Sequence, residues 1–260
     1  MNILVSGING QMGKEVALLS KNGYRGASLL CGVDITTGCD STVTVYQSFN
    51  DVKEENIDCI IDFSHHSAVV SLLDFATKRG IPTVVATTGH TKEELDAINL
   101  AAERIPVFFS ANMSLGVALL VELAKTAALA MPDAEIEIIE KHHNRKLDAP
   151  SGTALMLANA ICQVRPEAYA NCGRSGQCKR TPEEIGIHSI RMGNIVGEHE
   201  VIIGTQTQTL TLKHEAHTRA LFAEGAVCAA EFIIGKPSGL YDMKSMLSGE
   251  KVCDAVVSAE

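Results

Sequence analysis

The chain opens on a short apolar run, Ile3-Leu4-Val5, closed by Ser6 and Gly7. Similar runs recur at Leu29-Leu30-Cys31-Gly32-Val33, Cys59-Ile60-Ile61-Asp62-Phe63, Pro82-Thr83-Val84-Val85-Ala86 and Pro106-Val107-Phe108-Phe109. Between them the apolar positions shift to a spacing of three and four, over Met12 to Leu19, Ser67 to Lys78 and Thr91 to Arg104. A strand that is apolar throughout has to be covered on both faces, and helices alternating with such strands supply the cover. The pattern predicts an α/β fold, a doubly wound parallel sheet, in this first stretch.

After Leu115 the pattern changes. Val117 to Met131 predicts a helix, Ile136 to Glu140 a short strand, and Gly152 to Gln163 a second helix. Tyr169 to Gly186, rich in Gly, Arg, Lys and Thr, reads as a loop. Ile187 to Leu212 reads as two or three longer strands, with plain alternation from Gln206 to Leu212. No helices separate these strands, so a mixed or antiparallel sheet in a second, α+β domain is expected. Arg219 to Ile234 returns to helical periodicity and is expected to pack back on the first domain. The boundaries that follow are 1–113 plus 220–260 for one domain and 114–219 for the other.

Composition narrows the function. Of 260 residues 46% are hydrophobic and 20% charged, enough for a packed core. Aromatics are 4%, with no tryptophan, which argues against single-strand nucleic-acid binding by stacking. The net charge of -9 argues against a broad polyanion-binding surface. The eight cysteines are dispersed through a long chain, which suits reduced thiols in the cytoplasm better than a disulfide framework. Cys172, Cys178 and His188 fit no common zinc spacing, so no metal is expected. Neither a signal-peptide pattern at the start nor an uncharged run long enough for a membrane span is present in the sequence, so a soluble protein with no membrane partner is expected.

Gly7-Ile8-Asn9-Gly10-Gln11-Met12-Gly13 lies between the first strand and the first helix. Glycines there allow a tight turn and a close approach to a pyrophosphate, which the helix N-terminus then holds. Asp34 ends the second strand, about 20 residues on, where a carboxylate bonds a ribose 2′-hydroxyl. This is the arrangement of a Rossmann-type dinucleotide-binding domain. A 2′-phosphate would be repelled by Asp34, and Ile35, Thr36 and Thr37 bring no cation, so NADH is expected over NADPH. Ala86, Thr87 and Thr88 follow the fourth strand, and Ser110, Ala111, Asn112 and Met113 the fifth; with Phe63 they are the expected remainder of the cofactor crevice.

Lys141-His142-His143-Asn144-Arg145-Lys146 places three formal cations and two imidazoles together in an acidic chain. Asp148-Ala149-Pro150-Ser151-Gly152-Thr153 follows, with Ser151 as a helix N-cap and the Gly152 and Thr153 N–H groups in the first turn. Cationic side chains facing a helix N-terminus suit carboxylates, and imidazole adds a proton donor that works near neutral pH. Two readings compete with an enzyme of this kind. A nicotinamide-binding redox sensor without turnover would leave the basic cluster without a task. Another two-domain dehydrogenase, of homoserine or semialdehyde type, is the second; a phosphorylating semialdehyde enzyme needs an activated thiolate, and no Cys lies in the cluster.

The stretch from Glu140 to Ala154 resembles the E-x-H-H-x-x-K-x-D-A-P-S-G-T-A signature of the 4-hydroxy-tetrahydrodipicolinate (dihydrodipicolinate) reductases of lysine and diaminopimelate biosynthesis. The Gly7 loop, Ala86 to Gly89, Ser110 to Ser114 and Ile195 to His199 support that resemblance, which covers nearly the whole chain. It implies His142 and Lys146 as proton donors, and His143, Lys146, Gly152 and Thr153 as ligands of a small cyclic dicarboxylate. It also implies NADH or NADPH as reductant, a substrate-binding and oligomerisation role for the second domain, and a homotetramer. Ile35 departs from the basic residue that NADPH-using members often carry, and Ala86 stands where many have Gly.

Overall fold

The computed structural model describes residues 1–36 and 43–249. Thr37, named above beside the cofactor site, and residues 250–260 of the expected first domain lie outside them. The chain divides into two compact units, Leu115–Arg219 and the remainder on either side of it.

The first unit begins with β1 (Asn2–Ser6), α1 (Gln11–Lys21), β2 (Ser28–Val33), β3 (Val45–Tyr46) and β4 (Cys59–Asp62). It continues with α2 (Val69–Arg79), β5 (Thr83–Val85), α3 (Lys92–Ala102) and β6 (Pro106–Phe109). The end of α2 and the start of α3 have local causes. Gly80, left-handed at φ 68°, terminates α2. Thr91 caps α3 in a reciprocal box, its hydroxyl accepting from the Glu94 N–H at 3.3 Å while Glu94 accepts from the Thr91 N–H at 2.8 Å. The apolar strands bury Leu4, Ile60, Val85 and Val107 against Leu72 and Ile98 of the helices.

The second unit comprises α4 (Leu115–Ala130), β7 (Glu135–His142), α5 (Gly152–Val164), β8 (Tyr169–Cys172), β9 (Glu184–Arg191), β10 (Gly197–Gly204) and β11 (Thr209–Ala216). Its sheet runs in the order β11-β10-β7-β9-β8. β10 is antiparallel to β11 and β7, whereas β7, β9 and β8 are mutually parallel, so the sheet is mixed, as expected. Ile136, Ile138, Val201 and Ile203 pack with Leu157 and Ile161 of α5 in one core.

The chain then returns to the first unit as α6 (Ala220–Ile233), β12 (Gly239–Tyr241) and α7 (Met243–Ser248). All seven strands of the first sheet are parallel, in the order β12-β6-β5-β4-β1-β2-β3, and the order reverses between β1 and β4. α6 packs on α1 and across β4, β5 and β6 through a face of small residues. Its Gly225 comes so near Met113 that a Cβ would stand 1.7 Å from the Met113 carbonyl oxygen.

The second unit departs from the sequence pattern at two places. Tyr169 to Gly186 is not all loop: it holds β8 and the start of β9. β7 also runs past Glu140 to His142, which puts the first imidazole on a strand rather than in a loop.

Candidate active site

In the first unit the glycine loop closes β1 against α1. Gly7 is left-handed at φ 75°, and a Cβ there would stand 2.6 Å from the Phe63 carbonyl oxygen at the end of β4. A Cβ on Gly13 would stand 2.0 Å from the Gly7 carbonyl oxygen. Glycine at both positions is thus a steric requirement of the turn. Gly10 N-caps α1 with no side-chain cap, leaving the start of the helix to its backbone N–H groups.

Asp34, just beyond β2, accepts hydrogen bonds from the Asn9 N–H at 3.0 Å, the Thr36 N–H at 2.9 Å and the Thr36 hydroxyl at 2.8 Å. Burial alone would raise its pKa, but these bonds from Thr36 and Asn9 outweigh it and hold the carboxyl below its ordinary value. Asn9 returns the contact, its amide donating to the Thr36 carbonyl at 2.6 Å.

Two cavities flank this loop. One, of about 650 Å³, is lined by Gly7, Asn9, Gly10, Asp34 and Phe63. The other, of about 550 Å³, is lined by Gln11, Met12, Phe63, Ala86, Thr87, Thr88, Ala111 and Met113. Phe63, Ser64 and His65 line both. The residues present fit a dinucleotide: a glycine cradle at the centre, a carboxylate on one side, small residues on the other. Three of the predicted residues make contacts within the protein. Ile8 turns inward and is buried against Gly32, while the Ser110 hydroxyl donates to the Asn112 carbonyl at 2.8 Å and Asn112 accepts from the Ser114 N–H. Thr87 lines the cavity but gives its hydroxyl to Asp62, a fully buried carboxylate at the end of β4 that also accepts from Ser64.

In the second unit the strand alternation of β7 splits the basic cluster. Lys141 faces away from His142, and its ammonium is taken by Glu198 and Glu200 of β10 at 3.1 and 3.2 Å. It therefore does not belong to the site. His142 lies on the other face, the one covered by α5, with Nδ1 2.6 Å from Glu140. Glu140 is fully buried and bidentate to Arg191, at 2.7 and 2.8 Å, and it accepts from the Ser151 N–H at 3.1 Å. Burial would raise its pKa, yet the hydrogen bonds from Arg191 and His142, with lesser ones from Ser189 and Ser151, pull the carboxyl down to about 2.

Ser151 caps α5 as predicted, accepting from the Ala154 N–H at 3.3 Å, and Gly152 opens onto empty space. The Ser151 hydroxyl also meets Nε2 of His199 at 3.1 Å. Burial pushes the His199 pKa down to about 4, so its ring is neutral at neutral pH. His143 follows the strand; burial, then the charges of Arg145 and Arg219, lower its pKa. Lys146 is paired with Asp148 at 2.9 Å, and Arg145 donates to Asn194 at 2.7 Å.

Several residues here went unpredicted. Arg191 and Phe222, the latter on α6 and lining the smaller cavity, carry no local signal, since each reaches its site from a distant element. Nor does the sequence locally mark His65, which lines both cavities, or the burial of His199 against Ser151. Among the described residues no group of three or more His, Cys, Asp or Glu side chains is arranged to hold a metal, and no helix is long and apolar enough to cross a membrane.

Fold and site together place the molecule among the dinucleotide-dependent oxidoreductases. Two family models divide the chain between them, dihydrodipicolinate reductase N-terminus over residues 1–113 and dihydrodipicolinate reductase C-terminus over residues 116–247. The chain belongs to the dihydrodipicolinate reductase family. It is 46% identical over 251 residues to the 4-hydroxy-tetrahydrodipicolinate reductase of Caldanaerobacter subterraneus subsp. tengcongensis, covering 95% of this chain and 98% of the relative. It is 42% identical over 250 residues to the enzyme of the same name from Clostridium tetani, covering 95% and 97%. Among solved structures, a dipicolinate-bound dihydrodipicolinate reductase from Paenisporosarcina sp. TG-14 shares the fold at a TM-score of 0.80, with 24% identity over 93% of this chain and 97% of that one.

Proposed function

We propose that the chain reduces 4-hydroxy-tetrahydrodipicolinate to tetrahydrodipicolinate, with loss of water, in lysine and diaminopimelate biosynthesis. The observation that carries the site assignment is the junction of His142 with the capped start of α5 through one buried carboxylate. A bound dihydronicotinamide supplies the hydride. His142 delivers the proton, with Lys146 as a second donor. His143, Lys146 and the N–H groups of Gly152 and Thr153 hold the substrate carboxylates, where a helix N-terminus and nearby cations favour negative charge. Gly7 to Met12, Asp34, Phe63, Ala86 to Thr88 and Ser110 to Met113 form and support the cofactor crevice. The reductase reading is favoured over a sensor without turnover by the family to which the chain belongs.

NADH is the preferred reductant in this reading. Asp34 is ionised at neutral pH, and its neighbour Ile35, 87% exposed, offers a 2′-phosphate no cation. A homotetramer in the cytoplasm completes the proposal. The sheet face opposite α5 carries half-exposed Ile139 and Ile202 between the paired charges of Lys141, Glu198, Glu200 and Lys213, a surface suited to a second copy.

The test is spectrophotometric. With freshly made synthase product, nicotinamide absorbance falls, faster with NADH than with NADPH. His142→Ala and Lys146→Ala each lower kcat by about 100- to 10,000-fold, with NADH affinity unchanged. Undiminished turnover in these variants overturns their roles.

A further inference from the structure

Glu140 has no part in the steps above, yet its geometry ties it to them. It lies two residues before His142 on β7, so both side chains share one face of the strand. Its Oε2 sits 2.6 Å from His142 Nδ1 and accepts from Arg191 Nη1 at 2.8 Å. Its Oε1 accepts from Arg191 Nη2 at 2.7 Å and from the Ser151 N–H at 3.1 Å. A buried carboxylate needs a compensating charge, and the bidentate Arg191 already provides one. The contact with His142 is therefore not required to keep Glu140 ionised. The arrangement instead constrains the imidazole.

We infer that Glu140 is a positioning residue for proton delivery: by accepting the Nδ1 proton of His142 it fixes the ring and leaves Nε2 as the nitrogen that exchanges a proton with substrate. The inference rests on His142 being the proton donor. Orientation of an imidazole through its second nitrogen is a general device in acid–base sites. The surroundings agree with it. His199, opposite Glu140 on β10, packs edge-on to the His142 ring at 5.2 Å between centroids and 72° between planes. It bonds Ser151 rather than Glu140, so it supports the ring without competing for the carboxylate. The same Glu140 also holds the Ser151 N–H, so proton donor and helix start are set by one group.

The test is Glu140→Gln, followed by nitrogen-15 spectra of the histidine rings and by kinetics. In the unaltered protein, without ligands, the neutral His142 ring carries its proton on Nδ1. In the Gln variant the amide can turn its NH₂ toward Nδ1 and keep its oxygen for Ser151 and Arg191, so the ring proton moves to Nε2. Turnover then falls about 100-fold, as for a misoriented acid–base group, with NADH affinity unchanged. A neutral His142 protonated at Nε2 in the unaltered protein overturns the inference, and this spectrum decides even if the variant fails to fold. Full activity of Glu140→Gln beside an inactive His142→Ala also overturns it. Full activity of His142→Ala overturns the proton-donor reading instead, which keeps the two failures apart.

Discussion

Nε2 of His142 lies 3.1 Å from the point where a Cβ on Gly197 would stand. Gly197 is the first residue of β10, paired with Ala216 of β11, and places no side chain against that nitrogen. At that distance an added methyl forces the ring aside by a few tenths of an ångström. Gly197→Ala is expected to lower kcat about tenfold, since misplacement of a reacting group by about 1 Å costs on the order of 100-fold. Steady-state kinetics check it, with NADH affinity as the internal control.

Gly13 sits inside α1, where alanine is ordinarily worth about 1 kcal/mol to a helix. Here the sign reverses, because the new Cβ would stand 2.0 Å from the Gly7 carbonyl oxygen. Gly13→Ala is expected to destabilise the fold by about 1–3 kcal/mol and to weaken dinucleotide binding. Urea unfolding and a fluorescence titration with NADH read the two effects separately.

Acid should weaken the fold through His199. Its pKa is depressed from 6.5 to about 4 in the native state, first by burial and then by the nearby charge of His142. Between those values the unfolded chain binds a proton that the folded chain refuses, so stability is lost as pH falls through this window. The loss is of order 3 kcal/mol for a shift of this size. Urea midpoints measured from pH 7 to pH 4 should drop steeply, and His199→Gln should flatten the drop.

The parallel sheet was legible because most of its strands are apolar on both faces and alternate with segments of helical spacing. The missed strands lack that signal. β3 has two residues and β12 three, and β8 is exposed along most of its length, so pairing with a neighbour defines them rather than their own pattern. The glycine turn and Asp34 lie within one β-α-β unit and could be read locally. The second unit's site could be read only in part. Glu140, His142 and Ser151 share a short segment, but Arg191 and His199 reach them across β9 and β10. Lys141 shows the opposite failure: adjacency in sequence suggested a shared cluster that strand alternation undoes.

Synthesis on a ribosome delivers the nucleotide-binding half in two instalments. Everything up to Ser114 emerges first, with β4, β5 and β6 still lacking α6 and the tight seat of Gly225 on Met113. Phe222, one wall of the smaller cavity, is missing until then as well. A nascent chain halted before α6 would present one uncovered face of these apolar strands to chaperones and would lack a wall of the smaller cavity. For the same reason, residues 1–114 transplanted alone into another protein would carry an unroofed sheet with them.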